Sequence, residues 1–201
     1  MREGLGRLQF VTGAIEFLRP FLGPLYAWAS AGPRHSRPKL PVMVILIMKY
    51  LSKELAVVRA MPCQRRAHHL GEVFRLDAKA EGQVVAIGGW RSASGAKAQE
   101  AEWFSISLTR KTAPWAFARG EPFQAIATLE LVASLVGLMV LVPEGVPDSE
   151  SAATLTLSCG TDNQGNSYLL DPMLTTKYPL AVVLMELAHQ MRLRRLVLRA
   201  K

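Results

Sequence analysis

The run IATLELVASLVGLMVL, residues 126–141, constrains this chain more than any other stretch. An apolar segment of this length is either a bilayer span or a helix buried in a folded core. A span needs about 20 apolar residues. This one holds Glu130 in its interior and is followed by Pro143-Glu144, so the expectation is a buried helix over 122–141 in a soluble domain. A buried carboxylate without a partner costs several kcal/mol, roughly. Glu130 therefore has to meet a buried Arg or a metal ion. Ala127, Ser134 and Gly137 share its helical face, and their small size lets the helix approach a sheet closely.

Around that helix the chain reads as strands. Residues 72–78 alternate, with Phe74, Leu76 and Ala78 on one face and Val73, Arg75 and Asp77 on the other. A turn at Glu81-Gly82 leads to a second strand, 83–87. Residues 102–108 form a third, with Phe104, Ile106 and Leu108 on one side. A basic loop, 109–120 (TRKTAPWAFARG), precedes the helix. Residues 153–161 form a fourth strand, 168–174 and 179–191 read as helices, and 195–199 as a short fifth strand. The order β-β-β-α-β-α-β implies an α/β fold: a three-strand antiparallel meander followed by parallel helix–strand additions.

Upstream the pattern is helical. Residues 5–31 read as helix interrupted by Pro20 and Pro24, 32–41 as a proline-rich loop, and 41–60 as a second helix with apolar residues at Val44, Ile47, Met48, Leu51 and Leu55. The net charge of +8 lies wholly here: residues 1–70 hold 11 Lys+Arg against 3 Asp+Glu, whereas 71–201 hold 13 against 13. The division expected is a basic helical segment, 1–70, and an α/β domain, 71–201. Two helices make a poor core by themselves. A basic segment joined to a neutral domain points to a polyanion, most simply nucleic acid, with a solvated basic linker as the plainer alternative. Arg110, Lys111, Trp115 and Arg119 in the loop before the helix extend that surface with cations and an aromatic ring.

The two cysteines, Cys63 and Cys159, are far apart. No disulfide scaffold and no signal peptide is expected, which fits an intracellular, nuclear or cytoplasmic setting. Cys159 sits in an apolar strand as a small buried side chain. His68 and His69 lie in a polar stretch, His35 in a loop, and His189 follows a helix face without a metal-ligand partner in the sequence.

Three acidic residues stand where metal ligands would: Asp77 at the end of the first strand, Glu130 inside the apolar helix, and Asp162 at the end of the fourth strand. Singly, Asp77 reads as the start of a turn and Asp162 as an Asx turn or N-cap. Together, the segments around them resemble the ribonuclease H domain of reverse transcriptases from retroelements. The matching pieces are residues 75–78 (RLDA) with Gly88, Gly89 and Trp90, then 129–133 (LELVA), then 160–166 (GTDNQGN). Residues 6–10 (GRLQF) and 18–22 (LRPFL) resemble the segment that follows the polymerase palm in the same polyproteins, so the likeness covers most of the chain.

The resemblance implies a ribonuclease H-like mixed sheet that cuts the RNA strand of RNA–DNA hybrids. Asp77, Glu130 and Asp162 would be catalytic residues holding two Mg²⁺ ions about 3.5–4 Å apart, hard cations suited to carboxylate oxygen. The chain departs from the family in two respects, the first being the absence of the polymerase palm, with its own metal-binding aspartates, upstream. A fourth carboxylate is expected in a helix after the fifth strand, and no Asp or Glu follows Glu186. The expectation is thus a C-terminally incomplete fragment with weak or absent turnover. The alternative is a non-catalytic nucleic-acid-binding remnant of the same fold. A membrane-associated or scaffold role for the apolar helices is the third and least favoured reading, and no membrane partner is expected.

Overall fold

A computed structural model describes residues 2–31, 39–57, 67–92, 96–118, 120–142, 144, 154–160, 169–170 and 172–200. Three helices come first: α1 (Arg2–Ala14), α2 (Leu22–Ala31) and α3 (Val42–Val57), with a 3-10 turn over Glu16–Phe21 between the first two. Pro20 falls in that turn, and Pro24 falls in the first turn of α2, where a missing N–H is tolerated. Strands β1 (Ala67–Glu81), β2 (Val84–Arg91) and β3 (Glu102–Leu108) follow, then helix α4 (Ile126–Leu141), strand β4 (Thr154–Gly160), helix α5 (Leu180–Leu193) and strand β5 (Leu196–Ala200).

The five strands form one mixed sheet in the order β3-β2-β1-β4-β5. β1 pairs antiparallel with β2, and β2 antiparallel with β3. β4 joins β1 in parallel, and β5 joins β4 in parallel. The chain is thus a mixed α/β protein with a meander of three strands and two parallel additions.

Two strands run past their expected limits. β1 starts at Ala67, so the shift in charge near residue 70 falls inside a strand. β2 continues through Gly88, Gly89 and Trp90, paired on both sides. Glycine normally weakens a strand, but a Cβ on Gly89 would lie 2.6 Å from Leu76 Cδ2, 2.8 Å from the Phe104 ring and 2.9 Å from the Arg75 carbonyl oxygen. Close packing against β1 and β3 requires the bare backbone there. The helix expected over 168–174 is not continuous: Leu169 and Leu170 are helical, while Met173 has φ 52° and 173–177 lack regular structure.

The core lies between one face of the sheet and the α4–α5 layer. Phe74, Leu76, Val85 and Ile87 from the sheet meet Leu129, Ala133 and Leu138 of α4 and Leu184 and Leu187 of α5. Each fully buried leucine or phenylalanine contributes roughly 1.5–3 kcal/mol relative to exposure. Gly137 sets the spacing, since a Cβ there would lie 2.5 Å from Leu76 Cδ2. The segment Pro122–Leu141 is long and apolar enough to cross a membrane by length and composition, and half of it is buried inside the fold.

The end of α4 is held from two directions. Arg91 of β2 donates to the Leu141 carbonyl. Arg194, 7% exposed, donates through Nε to the Val142 carbonyl at 3.2 Å. Cations on the last carbonyls satisfy orphan acceptors and complement the helix dipole.

The N-terminal helices add a second cluster. Leu18, Phe21 and Leu22 pack with Val44, Ile47 and Leu51 of α3, and Met185 of α5 joins them. Polar contacts reinforce the seam. Glu54 of α3 pairs with Arg192, whose guanidinium lies 4.7 Å from the centre of the Phe17 ring. The Tyr50 hydroxyl lies 3.2 Å from His189 Nδ1, and its ring stacks on Phe21 at 4.4 Å. The small cluster of the N-terminal helices is completed by α5.

Candidate nucleic-acid interface

Strand alternation decides where the site residues go. Leu76 and Ala78 are buried on the side facing α4, so Asp77 between them projects to the other side and is exposed. It stands opposite Gly88 on β2. Glu130 lies in the other layer. It is buried on α4, seven residues before Gly137 and so on the same, sheet-facing side of the helix. Its backbone carbonyl accepts a hydrogen bond from Ser134 Oγ at 3.0 Å. Asp162 lies outside the described residues. β4 ends at Gly160, opposite Arg75 and two positions before Asp77 along the parallel strand β1.

Asp77 and Glu130 are oxygen donors of the kind Mg²⁺ prefers, but they occupy different layers. Among the described residues no three His, Cys, Asp or Glu side chains converge on a point that could hold an ion.

The basic loop is more committed to the fold than its composition implies. Arg110 donates to Gln83 Oε1 at 3.1 Å and lies 5.2 Å from the centre of the Phe117 ring. Trp115 is half-buried against the core, in a 3-10 turn (Pro114–Phe117) whose Ala116 and Phe117 are buried. Lys111 is exposed. Arg119 lies outside the described residues.

The sheet face that carries Asp77 pairs Trp90 with a residue the sequence had not marked, Trp103. Trp90 and Trp103 are directly opposite each other on β2 and β3, and both are exposed, at 47% and 72%. Arg75 of β1 is opposite Trp90, which makes a row Trp103–Trp90–Arg75 across three strands. The next row is Ser105–Gly88–Asp77 and the third is Ser107–Ala86–Lys79. Among the described residues no helix packs on this face of β1–β3. The signal was present in the sequence: if Phe104, Ile106 and Leu108 point inward, Trp103, Ser105 and Ser107 must point outward.

Charges on the open face are of both signs and exposed. Arg75 pairs with Glu72 and Lys79 with Glu81 at 2.7 Å, while Arg91 and Glu102, which pair at 2.7 Å, lie on the side facing α4. The Glu81 and Glu102 carboxyls are held below the usual carboxylate range by hydrogen bonds from Lys79 and Arg91. Such surface pairs are weak and exchange readily with other anions. Cys159 lies on the buried side of β4, opposite Phe74. Burial pushes its thiol up to about 12, which removes it from nucleophilic chemistry near neutral pH.

No protein-family model matches this chain, and no curated protein matches it.

Proposed function

We propose that this chain is a nucleic-acid-binding domain of ribonuclease H-like arrangement, derived from a retroelement reverse transcriptase, in which hydrolysis of RNA–DNA hybrids is weak or absent. The observation that carries the reading is the sheet: an antiparallel β3-β2-β1 meander extended in parallel by β4 and β5, with a helix bearing a buried glutamate between β3 and β4. The adjacency of β1 and β4, with Gly160 opposite Arg75, supports the ribonuclease H-like strand order. The charge excess in the first third supports a polyanionic partner.

Binding without turnover is favoured by one placement. Asp77 is exposed on the open face, whereas Glu130 is buried in the helical layer. In-line displacement between two metals depends on ligands that fix both ions. The test is cleavage of a labelled RNA–DNA hybrid in Mg²⁺ and in Mn²⁺, with Asp77→Asn as the control. Binding without measurable cleavage is the expected result. Robust turnover that disappears in Asp77→Asn would overturn the non-catalytic part of the proposal and point to Asp77, Glu130 and Asp162 as working metal ligands.

A further inference from the structure

The open sheet face deepens this reading, and the inference rests on the chain being a nucleic-acid binder. We infer that the Trp103–Trp90–Arg75 row is a stacking platform for unpaired nucleotides, so that the ligand of this face is single-stranded nucleic acid rather than a duplex. The chemistry of the row is the first argument. Exposed tryptophans on a sheet face leave a large apolar area in water, and two in direct cross-strand register make that area continuous. Neighbouring strands are about 4.8 Å apart, so the row spans roughly 10 Å, comparable to one or two nucleotides.

The neighbours fit the same ligand. Gly88 lies between Asp77 and Ser105 with no side chain, which leaves the floor beside the tryptophans low enough for a planar base. Ser105 and Ser107 are exposed and offer hydroxyls to base or sugar edges. Arg75 closes the row, and Lys79 stands two rows beyond it, each tied to an exposed carboxylate that a phosphate can displace. A duplex hides its base faces, so only an unpaired strand can present them to this surface. Asp77 stands in the second row and repels phosphate. It contributes nothing to affinity in this pose.

The experiment uses the full chain in EDTA, so that its outcome is independent of any metal-dependent cleavage. Labelled twelve-nucleotide oligo-dT and oligo-U are titrated by fluorescence anisotropy, with a self-complementary hairpin as the duplex probe. Trp103→Ala and Trp90→Ala each weaken single-strand binding by roughly 5- to 150-fold. Trp103→Phe restores most of the affinity, and Asp77→Asn binds as well as the parent or better. The high exposure of Trp103 makes its substitution mild for folding, and thermal melts of each variant verify this. Unchanged affinity in folded Trp103→Ala, or equal binding of hairpin and single strand, overturns the platform. If the platform fails while the parent still binds the RNA–DNA hybrid in a salt-dependent way, the proposed function stands without it.

Discussion

Replacing Arg194 with Met is the sharpest test of how α4 is anchored. The side chain is almost fully buried in the turn after α5 and gives Nε to the Val142 carbonyl at 3.2 Å. A second nitrogen donates to Gln190 Oε1. The Glu144 contact, at 3.5 Å to a carboxylate 72% exposed, adds little. Methionine keeps the apolar stem but removes the donors and leaves the carbonyl without its cation. Hydrogen bonds from a charged donor are worth about 1.5–3 kcal/mol, and some of that returns because methionine is easier to bury. A net loss of about 2–3 kcal/mol follows. For a domain of this size each kcal/mol moves Tm by about 2–4 °C, so Arg194→Met melts roughly 4–12 °C lower by calorimetry. Arg91→Met, at a more exposed side chain on the adjacent carbonyl, costs about 1 kcal/mol. The double variant falls short of the sum, because both arginines restrain one helix end. A Tm for Arg194→Met within about 1 °C of the parent would refute the cap.

Other expectations follow from single contacts. Gly89→Ala places a Cβ against the Arg75 carbonyl and the Phe104 ring and destabilises by about 1–3 kcal/mol in urea titration. Arg192→Ala breaks the pair with Glu54 and the contact with Phe17; partial exposure brings the loss to about 2 kcal/mol, below the 3–5 of a fully buried pair, and trypsin should cut residues 2–57 faster than the sheet. The Cys159 thiol, raised to about 12 by burial, contributes stability fully below its unfolded value of about 8.5, and loses it as pH climbs from there toward 12. Urea midpoints at pH 7 and pH 10.5 should therefore fall further in the parent than in Cys159→Ala.

Much of the fold was legible because its signals are local. The alternation around Phe74, Leu76 and Ala78 gave β1 its inner face, and the 102–108 run gave β3 its limits. The Glu130 helix was legible from its apolar length, and Gly137 from its place on the same side. What escaped was non-local. The second strand was expected over 83–87 only, because it takes the neighbouring strands to reveal that Gly89 is needed for packing. The N-terminal helices read as lacking a core, because Met185 and Arg192, which complete it, come more than 120 residues later. The basic loop looked like a free cationic surface, yet Arg110 is tied to Gln83 and Phe117, and Trp115 leans on the core. Charge alone does not distinguish a cation that holds a loop from one that awaits phosphate. Asp77 and Glu130 were visible as candidates, while the layer each occupies depended on packing that only the folded chain supplies.

The measurement that bears most directly on the account is a mobility-shift titration of the 201-residue chain against a labelled RNA–DNA hybrid in EDTA, at about 50 mM and about 200 mM salt. Each neutralised phosphate releases counterion, so binding through the basic first third predicts a dissociation constant that rises by about tenfold or more between the two conditions. Absence of binding at the lower salt, or an affinity that does not change with salt, would contradict a nucleic-acid-binding role for this protein.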